Sequence, residues 1–227
     1  MLKKYAYTRE TGSQKEIPEI KAIPSGYLVG GYQQYMITKD KIMPLKPVHK
    51  VKYQLIKPYL HSLINPEIVD IGCSAGVLGL QAIFDDFHRV VFLDHDKEYI
   101  ELVQRVLNYI GAENAGTICS PLSHVDRKFE AGFAFALIHW IYSYSELAGS
   151  LDYAIALLEK IVTKTLFIEW IDPTDSAIEL AKHISQNKDI IKEQYTLENF
   201  VKALKKHYGY IVMVGSVSKT RHLYIAS

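Results

Sequence analysis

The stretch VDIGCSAGVLGLQAI, residues 69–83, combines an acidic side chain with backbone that carries almost no side chains. Asp70 lies near the end of an apolar run, and Gly72, Gly76 and Gly79 follow it. Glycine permits tight turns and lets another group approach the backbone closely. The pattern is therefore typical of a tight strand–helix turn, or of a loop against which a large polar ligand lies.

A second acid, Asp94, ends the next apolar run, RVVFLD. A carboxylate at the end of such a strand can accept hydrogen bonds from both ribose hydroxyls of an adenosine group. Its alternative role is that of a helix N-cap, which Asp96 can fill equally well. Asp94 is therefore a candidate for binding a nucleoside.

Polar and aromatic side chains also end two later apolar runs. His139 and Trp140 follow GFAFALI, and Glu169 and Trp170 end KTLFIEW. A neutral imidazole can act as general base near neutral pH, or serve as a structural hydrogen-bonding group. Glu169 can orient that imidazole, bind a substrate amine or place a charge at a helix N-terminus, and its burial requires a partner. The tryptophans suit stacking on a substrate or core packing. The candidate catalytic residues are His139, Glu169 and Tyr142.

The elements that must hold these residues alternate between strand and helix. Strands that are apolar throughout and separated by helices indicate a parallel sheet covered on both faces, with ligands at the carboxyl ends of its strands. The tail GYIVMVGSVSKTRHLYIAS predicts an antiparallel hairpin with its turn at Ser216–Lys219. Predicted strands cover residues 66–71, 89–94, 115–120, 132–139 and 164–170, and predicted helices cover 76–86, 96–110, 145–161, 174–186 and 196–207.

The N-terminal part has a different pattern. Residues 1–30 are polar and have no sustained period, which predicts a loosely structured extension, and a short hairpin is predicted around Thr38–Lys41. A helix then follows, and Asn65–Pro66 ends it. We divide the chain into an N-terminal extension, residues 1–47, and a domain, residues 48–227. The extension is a lid over the active site, or a tether or partner-binding arm. The predicted buried face of the helix consists of Val48, Val51, Leu55, Tyr59, Leu60 and Leu63.

Composition limits the class of protein. The chain has 227 residues, of which 48% are apolar, so it can bury a full core. Its longest nearly uncharged apolar run, residues 131–142, is too short to cross a bilayer, and no apolar signal core begins the sequence. The only two cysteines, Cys73 and Cys119, favour a reducing compartment and are expected to be free thiols. We predict a cytoplasmic, globular protein without a membrane partner or a metal site.

Charge is distributed unevenly along the chain. Lys and Arg number 11 against 4 Asp and Glu in residues 1–60, 7 against 18 in residues 61–180, and 8 against 3 in residues 181–227. Ordinary surface variation explains such blocks, and a basic rim that attracts an anionic substrate is the alternative. Seven tyrosines lie among the basic residues of the first block, which is typical of a nucleic-acid surface or of a lid.

The loop motif distinguishes two kinds of ligand. A dinucleotide-binding fold requires G-x-G-x-x-G, and Ser74 stands where its second glycine would be. Asp70, Gly72, Ser74 and Gly76 instead resemble the first motif of class I S-adenosylmethionine-dependent methyltransferases, Asp-x-Gly-x-Gly-x-Gly, with serine in place of the middle glycine. This cofactor has no phosphate and carries an amino group, a carboxylate and a sulfonium cation. The resemblance implies that Asp70 faces the cationic end of S-adenosylmethionine.

The resemblance implies a fold and a cofactor site. The family has an α/β, Rossmann-like, doubly wound sheet of seven strands in the order 3-2-1-4-5-7-6, with a C-terminal antiparallel hairpin, and the match covers about residues 48–227. In place of the family's usual polar adenine contact after the third strand, Ser120, Leu122 or Ser123 must serve. The implied cofactor-binding residues are Asp70, Gly72, Cys73, Ser74, Gly76, Asp94, His95, Ser120, Leu122 and Ile138.

Two family motifs for nucleic-acid substrates are absent from the sequence. No Asp/Asn-Pro-Pro-aromatic motif follows the fourth strand, and no Lys-Asp-Lys-Glu set resembles that of RNA ribose methyltransferases. The resemblance therefore implies methyl transfer to an oxygen or nitrogen of a small-molecule acceptor, without indicating a branch of the family. The alternatives are an RNA methyltransferase that uses the basic terminal segments, and a non-catalytic methyltransferase-like binding domain.

Overall fold

The computed structural model describes residues 5–7, 14–16, 18–144, 149–180 and 194–227. Its N-terminal part consists of short antiparallel strands. β1 (Tyr5–Tyr7) pairs with β2 (Gln14–Glu16), and the next four strands form a separate sheet in sequential order, the meander. The strands of the meander are β3 (Ile20–Ile23), β4 (Gly26–Val29), β5 (Tyr35–Ile37) and β6 (Ile42–Pro44).

The meander agrees only in part with the sequence-based expectation. The hairpin of β5 and β6 is the predicted one, and at its turn the Thr38 N–H donates to the Lys41 carbonyl at 2.9 Å. β3 and β4, however, occupy a segment that we expected to be loosely structured. Each has four residues, most of them partly exposed, so their sequence shows no sustained alternation.

Helix α1 (Pro47–Leu60) follows the meander, with proline in its first turn, where a missing N–H is tolerated. The helix was predicted, and its predicted buried face is right in part: Leu60 is buried, and Leu55 and Leu63 pack against the core. Val51 and Tyr59 are exposed, because two polar residues take positions on the buried side. The prediction placed all polar residues in solvent, so it assigned part of the wrong side of the helix to the core. The buried residues are His49, Lys52, Tyr53, Ile56 and Leu60.

The second large sheet has seven strands. They are β7 (Ile68–Ile71), β8 (Val90–Asp94), β9 (Gly116–Cys119), β10 (Phe129–Ala134), β11 (Val162–Ile171), β12 (Ile211–Ser218) and β13 (Arg221–Ala226). Their order across the sheet is β12-β13-β11-β10-β7-β8-β9. Counted from β7, this is the predicted order 3-2-1-4-5-7-6. β13 runs antiparallel to both of its neighbours, so the predicted C-terminal hairpin is confirmed.

Helices cover both faces of this sheet. The helices after α1 are α2 (Val77–Ile83), α3 (Lys97–Ile110), α4 (Ile138–Tyr144), α5 (Leu151–Ile161), α6 (Ser176–Leu180) and α7 (Leu197–His207). α1, α2 and α3 contribute to one apolar cluster, and α4, α5 and α7 contribute to another on the opposite face. Asp96 caps the start of α3, and Gly111 ends it with φ of 73°, as predicted.

Two predicted boundaries differ markedly from the structure, and a third predicted element extends beyond the described residues. The strand predicted to end at His139 ends at Ala134, and His139 lies in the first turn of α4. The helix predicted over 145–161 begins at Leu151 after the cap Ser150, and residues 145–148 lie outside the described residues. Of the helix predicted over 174–186, residues 181–186 also lie outside them. Periodicity cannot separate a buried strand from a buried helix in one apolar run, which explains the first difference.

The two cysteines belong to different strand ends. Cys73 follows β7 and is buried, whereas Cys119 ends β9 and is exposed, and both are free. β8 lies between them, so two strand spacings of about 4.8 Å separate them. That distance exceeds the limit of about 7 Å for a disulfide. Among the described residues, no helix is long and apolar enough to cross a bilayer.

Candidate functional site

The loop between β7 and α2, residues 72–76, is called the cofactor loop below. Gly72 and Gly76 have φ of 65° and 79°, a region that favours glycine. Ser74 is also left-handed, with φ of 50°, at a cost of about 1–3 kcal/mol for a residue with a Cβ. Its N–H donates to Asp94 Oδ2 at 2.9 Å, and its buried hydroxyl has no hydrogen-bond partner among the described residues. The loop is thus held in a strained conformation beside an acid.

Asp70 lies beneath this loop. It is buried, and its Oδ2 accepts the N–H of Gly79 at 2.9 Å. A Cβ at Gly79 would lie 2.4 Å from the ring of Phe92, so glycine there permits close packing of helix and strand. Burial raises the pKa of Asp70 to about 7, the Gly79 N–H opposes this, and the charge of Asp94 adds to it. Asp70 therefore supports the strand–helix turn, and its contact with the cationic end of a cofactor stays a prediction.

Asp94 lies beside the cofactor loop, at the end of β8. Its Oδ2 accepts the Ser74 N–H, and its Oδ1 accepts the Asp96 N–H at 3.0 Å. Each carboxylate oxygen can accept a further hydrogen bond. The side chain of Asp96 caps α3 by accepting from the Glu98 N–H. The N-cap role considered for Asp94 therefore falls to Asp96.

Three further predicted cofactor residues lie near Asp94. His95 is exposed, with Nδ1 3.4 Å from Asp94 Oδ1. The Ser120 N–H donates to the Asp94 carbonyl at 3.0 Å, which brings the end of β9 to the same sheet edge. Leu122 begins a 3₁₀ turn and is half-buried against the apolar core. The structure thus brings together the residues proposed for the adenosine end.

Cys73 and Ile138, also predicted to bind the cofactor, are buried. The Cys73 N–H donates to the Leu93 carbonyl at 3.0 Å, which ties the loop to β8. Burial raises the pKa of the Cys73 thiol well above its usual value. A Cβ at Gly72 would lie 2.9 Å from the Leu137 side chain, so the segment before α4 packs on the cofactor loop.

Glu169, a candidate catalytic residue, is fully buried on β11. Its Oε2 lies 2.6 Å from Nζ of Lys52, which is also buried. The Ala136 N–H donates to the same oxygen at 2.7 Å. The other oxygen, Oε1, is buried without a hydrogen-bond partner among the described residues. Glu169 therefore has the partner that its burial requires, and one carboxylate oxygen remains open.

His139 is 2% exposed. Burial lowers its pKa to about 3, Arg221 lowers it further, Asp175 opposes the shift, and Lys52 also lowers it. Its Nδ1 has no hydrogen-bond partner within the described part of the chain. The imidazole is therefore neutral at physiological pH and accepts a proton only weakly.

Tyr142 lies in α4 and packs into an aromatic cluster. Its ring centroid lies 4.9 Å from that of Tyr195, which in turn stacks on Trp170 at 4.6 Å. Burial raises the pKa of the Tyr142 hydroxyl. Trp170 is fully buried, whereas Trp140 is 39% exposed. Of the two tryptophans, Trp170 is therefore a core residue.

Sequence reasoning missed several polar residues on the same side of the sheet edge. The Arg221 guanidinium binds both oxygens of Asp175, at 2.9 and 2.8 Å, and holds the pKa of that carboxyl well below its usual range. Tyr32 is 44% exposed, but desolvation of its hydroxyl raises its pKa, with a further contribution from the charge of Glu169. The Tyr32 ring lies 6.2 Å from that of His49, whose pKa burial lowers to about 4. The many tyrosines near the N-terminus were the one available signal.

The meander supports the cofactor loop from the other side. The Tyr35 hydroxyl donates to the Ala75 carbonyl at 2.7 Å, and Gln33 Oε1 accepts the Val77 N–H at 2.9 Å. Both side chains are buried. This part of the N-terminal extension therefore contacts the loop directly, and its role as a lid stays a prediction.

Comparison with known proteins supports the fold. No protein-family model matches the chain, and no curated protein matches its sequence. The magnesium protoporphyrin IX methyltransferase ChlM from Synechocystis PCC 6803, solved with bound S-adenosylhomocysteine, is 13% identical with a TM-score of 0.56, over 78% of this chain and 81% of ChlM. The bifunctional kinase–methyltransferase WbdD is 12% identical with a TM-score of 0.55, over 80% of this chain and 38% of WbdD. This chain has the class I methyltransferase fold.

A third structure agrees with this assignment. A candidate O-methyltransferase from Nostoc punctiforme PCC 73102 is 13% identical with a TM-score of 0.54, over 79% of this chain and 55% of its own. The methyltransferase fold places the cofactor loop and Asp94 at the carboxyl ends of neighbouring strands, where such sheets bind ligands. Within the described ranges, no group of three or more His, Cys, Asp or Glu side chains is placed to hold a metal ion.

Proposed function

We propose that this protein transfers a methyl group from S-adenosylmethionine to a hydroxyl or amine of a small molecule. The observation that carries the proposal is the placement of Asp94 against the strained cofactor loop. Two left-handed glycines and Ser74 shape that loop, and the acid reaches it through the Ser74 N–H. The free thiols fit a reducing compartment such as the cytoplasm.

The residues at the cofactor loop fit this cofactor. Asp94 can accept from ribose hydroxyls with the lone pairs that its two backbone donors leave open. The buried Ser74 hydroxyl has no partner among the described residues and can bind a polar group of the methionine part. Ser120 and Leu122 would flank the adenine. The cofactor supplies an electrophilic methyl group on a sulfonium.

The acceptor side favours a donor-bearing nucleophile. Glu169 Oε1 is buried and open, so a hydroxyl or an amine N–H would satisfy it. Lys52 and Arg221 each have a carboxylate partner, which leaves neither as an unpaired cation for an anionic acceptor. Among the candidate catalytic residues, Glu169 is best suited to take the acceptor's proton, and His139 then orients the acceptor as a neutral imidazole. Tyr142 contributes packing.

The second candidate is an RNA methyltransferase that uses the basic terminal segments. Ion pairs engage several of the basic residues that suggested it, including Lys57 with Asp85 and Lys206 with Asp152. Phosphate contacts make RNA binding fall steeply with salt. Filter binding of a short RNA at 50 and 200 mM salt, with and without S-adenosylhomocysteine, tests this candidate, and tight salt-dependent binding would favour it.

Calorimetry with S-adenosylhomocysteine tests the cofactor assignment. Asp94→Ala should weaken binding by about 1.5–3 kcal/mol, the range for hydrogen bonds to a charged group. Asp96→Ala is the matched control, because it removes a helix cap two residues away and should leave the affinity within about threefold. Tight binding of NAD without binding of S-adenosylhomocysteine would overturn the assignment. Transfer of a labelled methyl group to a panel of phenols, alcohols and amines then separates an enzyme from a non-catalytic binding domain.

A further inference from the structure

A short series of contacts links helix α1 to the cofactor loop through the acceptor side. Lys52 of α1 pairs with Glu169 of β11, and Glu169 accepts the Ala136 N–H through the same oxygen. Ala136 belongs to the turn of residues 135–137, between β10 and α4. The next residue, Leu137, packs against Gly72 of the cofactor loop.

Two features of this series are energetically unusual. The side chains of Lys52 and Glu169 are 2% and 0% exposed, and removing two charges from water costs several kcal/mol per ion. A buried ion pair is often no more stable than well-packed apolar residues. Ala136 has φ of 51°, a left-handed conformation that is strained for a residue with a Cβ. Fold stability alone therefore does not account for the arrangement.

We propose that Lys52 is a positioning residue: it fixes Glu169, and through Glu169 it holds the 135–137 turn against the cofactor loop. Two donors occupy Glu169 Oε2, so the carboxylate is anchored at one oxygen while Oε1 stays open. The inference rests on the proposed function for the identity of the cofactor and the acceptor, but its contacts stand without either ligand.

The test uses the double variant Lys52→Met/Glu169→Gln of the full chain. It removes both charges and leaves no unpaired ion, and the amide oxygen of Gln can still accept from Ala136. The matched control is Lys57→Met/Asp85→Asn, which removes another lysine–carboxylate pair of α1, one whose side chains are 46% and 19% exposed. Amide hydrogen exchange by NMR is measured without ligand, with Val69 of β7, an inner strand of the seven-stranded sheet, as internal reference for global stability.

We expect exchange at Ala136, relative to Val69, to become roughly tenfold faster in the first double variant, because a charge-assisted hydrogen bond is replaced by a weaker neutral one. The control variant should leave this ratio unchanged. A structural role alone would move both amides together. A folded Lys52→Met/Glu169→Gln protein with the wild-type ratio would overturn the proposal.

A second variant, Lys52→Arg, tests the proposal if the double variant does not fold. Lys52→Arg retains the charge but replaces a compact ammonium with a planar fork, so it should fold and also speed exchange at Ala136. Wild-type exchange in Lys52→Arg would count against the proposal. Calorimetry with S-adenosylhomocysteine separates the two hypotheses. An altered Ala136 ratio in a protein that does not bind this ligand would refute the cofactor assignment alone, whereas ligand binding with an unaltered ratio would refute only the positioning role.

Discussion

The carboxyl edge of the sheet has two halves that are built differently. The half that we propose binds the cofactor, the cofactor half, lies within residues 70–122 and consists of the cofactor loop and the ends of β7, β8 and β9. The half that we propose binds the acceptor, the acceptor half, draws Lys52, His139, Glu169 and Arg221 from four elements far apart in the chain. The first half is specified by local spacing, and the second exists only once distant elements have packed together.

Burial shifts the pKa of one carboxyl group in the cofactor half and of two histidines in the acceptor half in opposite directions. Burial raises the pKa of Asp70 in the cofactor half, whereas it lowers the pKa values of His49 and His139 in the acceptor half. In each case burial disfavours the charged form. Lowering the pH should therefore destabilise the acceptor half, and raising the pH should destabilise the cofactor half.

The largest effect should come from Glu169→Gln. If Glu169 takes the acceptor's proton, the variant should lose roughly 10²–10⁴-fold in turnover. Because the residue lies in the acceptor half, affinity for S-adenosylhomocysteine should stay within about tenfold. Single-turnover methyl transfer to an acceptor from the phenol, alcohol and amine panel measures the loss. Glu130→Gln, at a partly exposed carboxylate paired with Lys164, is the control. Wild-type turnover in Glu169→Gln would remove Glu169 from the chemistry.

The stability of the protein at low pH should depend on the buried histidines of the acceptor half. His49 and His139 stay neutral when folded, with pKa values near 4 and 3, whereas the unfolded chain takes up protons as pH falls through about 6.5. Their contribution to the free energy of unfolding is therefore complete above about pH 6.5 and is lost as the pH falls below that value. At pH 4.5 the loss should reach about 3–5 kcal/mol. Urea unfolding across pH 4.5–7 measures it, and His139→Phe should flatten the dependence, whereas His88→Phe, at an exposed position, should not.

At Asp70 the pH dependence of stability should have the opposite direction, and Asp70→Asn should remove it. The pKa of Asp70 is raised to about 7, so its contribution to stability is present below about pH 4 and lost as pH rises through 7. Asparagine can still accept the Gly79 N–H without becoming charged. Relative to wild type, the variant should gain about 2–4 kcal/mol in unfolding free energy between pH 4 and pH 8. Urea unfolding at both values measures the gain, and Asp126→Asn, whose side chain is 90% exposed, should show no such trend.

Tyr35→Phe should give the smallest effect. It tests whether the meander acts together with the cofactor half. It removes the hydroxyl that donates to the Ala75 carbonyl, a loss of about 0.5–1.5 kcal/mol in unfolding free energy. If the meander supports the cofactor loop, affinity for S-adenosylhomocysteine should also fall by roughly threefold to tenfold. Tyr59→Phe, on the exposed side of α1, should change neither quantity. A stability loss without an affinity loss would separate the meander from the cofactor half.

The cofactor half could be predicted because its signals are local. Apolar strands separated by helices predicted a parallel sheet, the family resemblance implied its strand order, and the spacing of Asp70, Gly72 and Gly76 predicted the loop. The conformation of Ser74 could not be predicted, because a left-handed serine has no sequence signature. Its neighbour Asp94 was found because it ends a strand.

The acceptor half was predicted only in part, because burial of polar groups contradicts the patterns that sequence reasoning uses. Lys52 and His49 lie on the buried face of α1, where periodicity requires apolar residues. β10 ends at Ala134 inside an apolar run, before the left-handed Ala136, so His139 was assigned to the wrong element. Glu169 was identified as a candidate from its strand end, but its partner lies 117 residues away.

That separation has a consequence for the synthesis of the chain. At roughly 5–20 residues per second, Glu169 leaves the ribosome's catalytic centre roughly 6–23 s after Lys52. During this interval α1 lacks the carboxylate that compensates its buried lysine, so it cannot dock in its native position at acceptable cost. One of the first helices to be translated is therefore among the last to reach its final contacts. Nascent chains of this protein should expose the apolar side of α1 to chaperones until β11 has emerged.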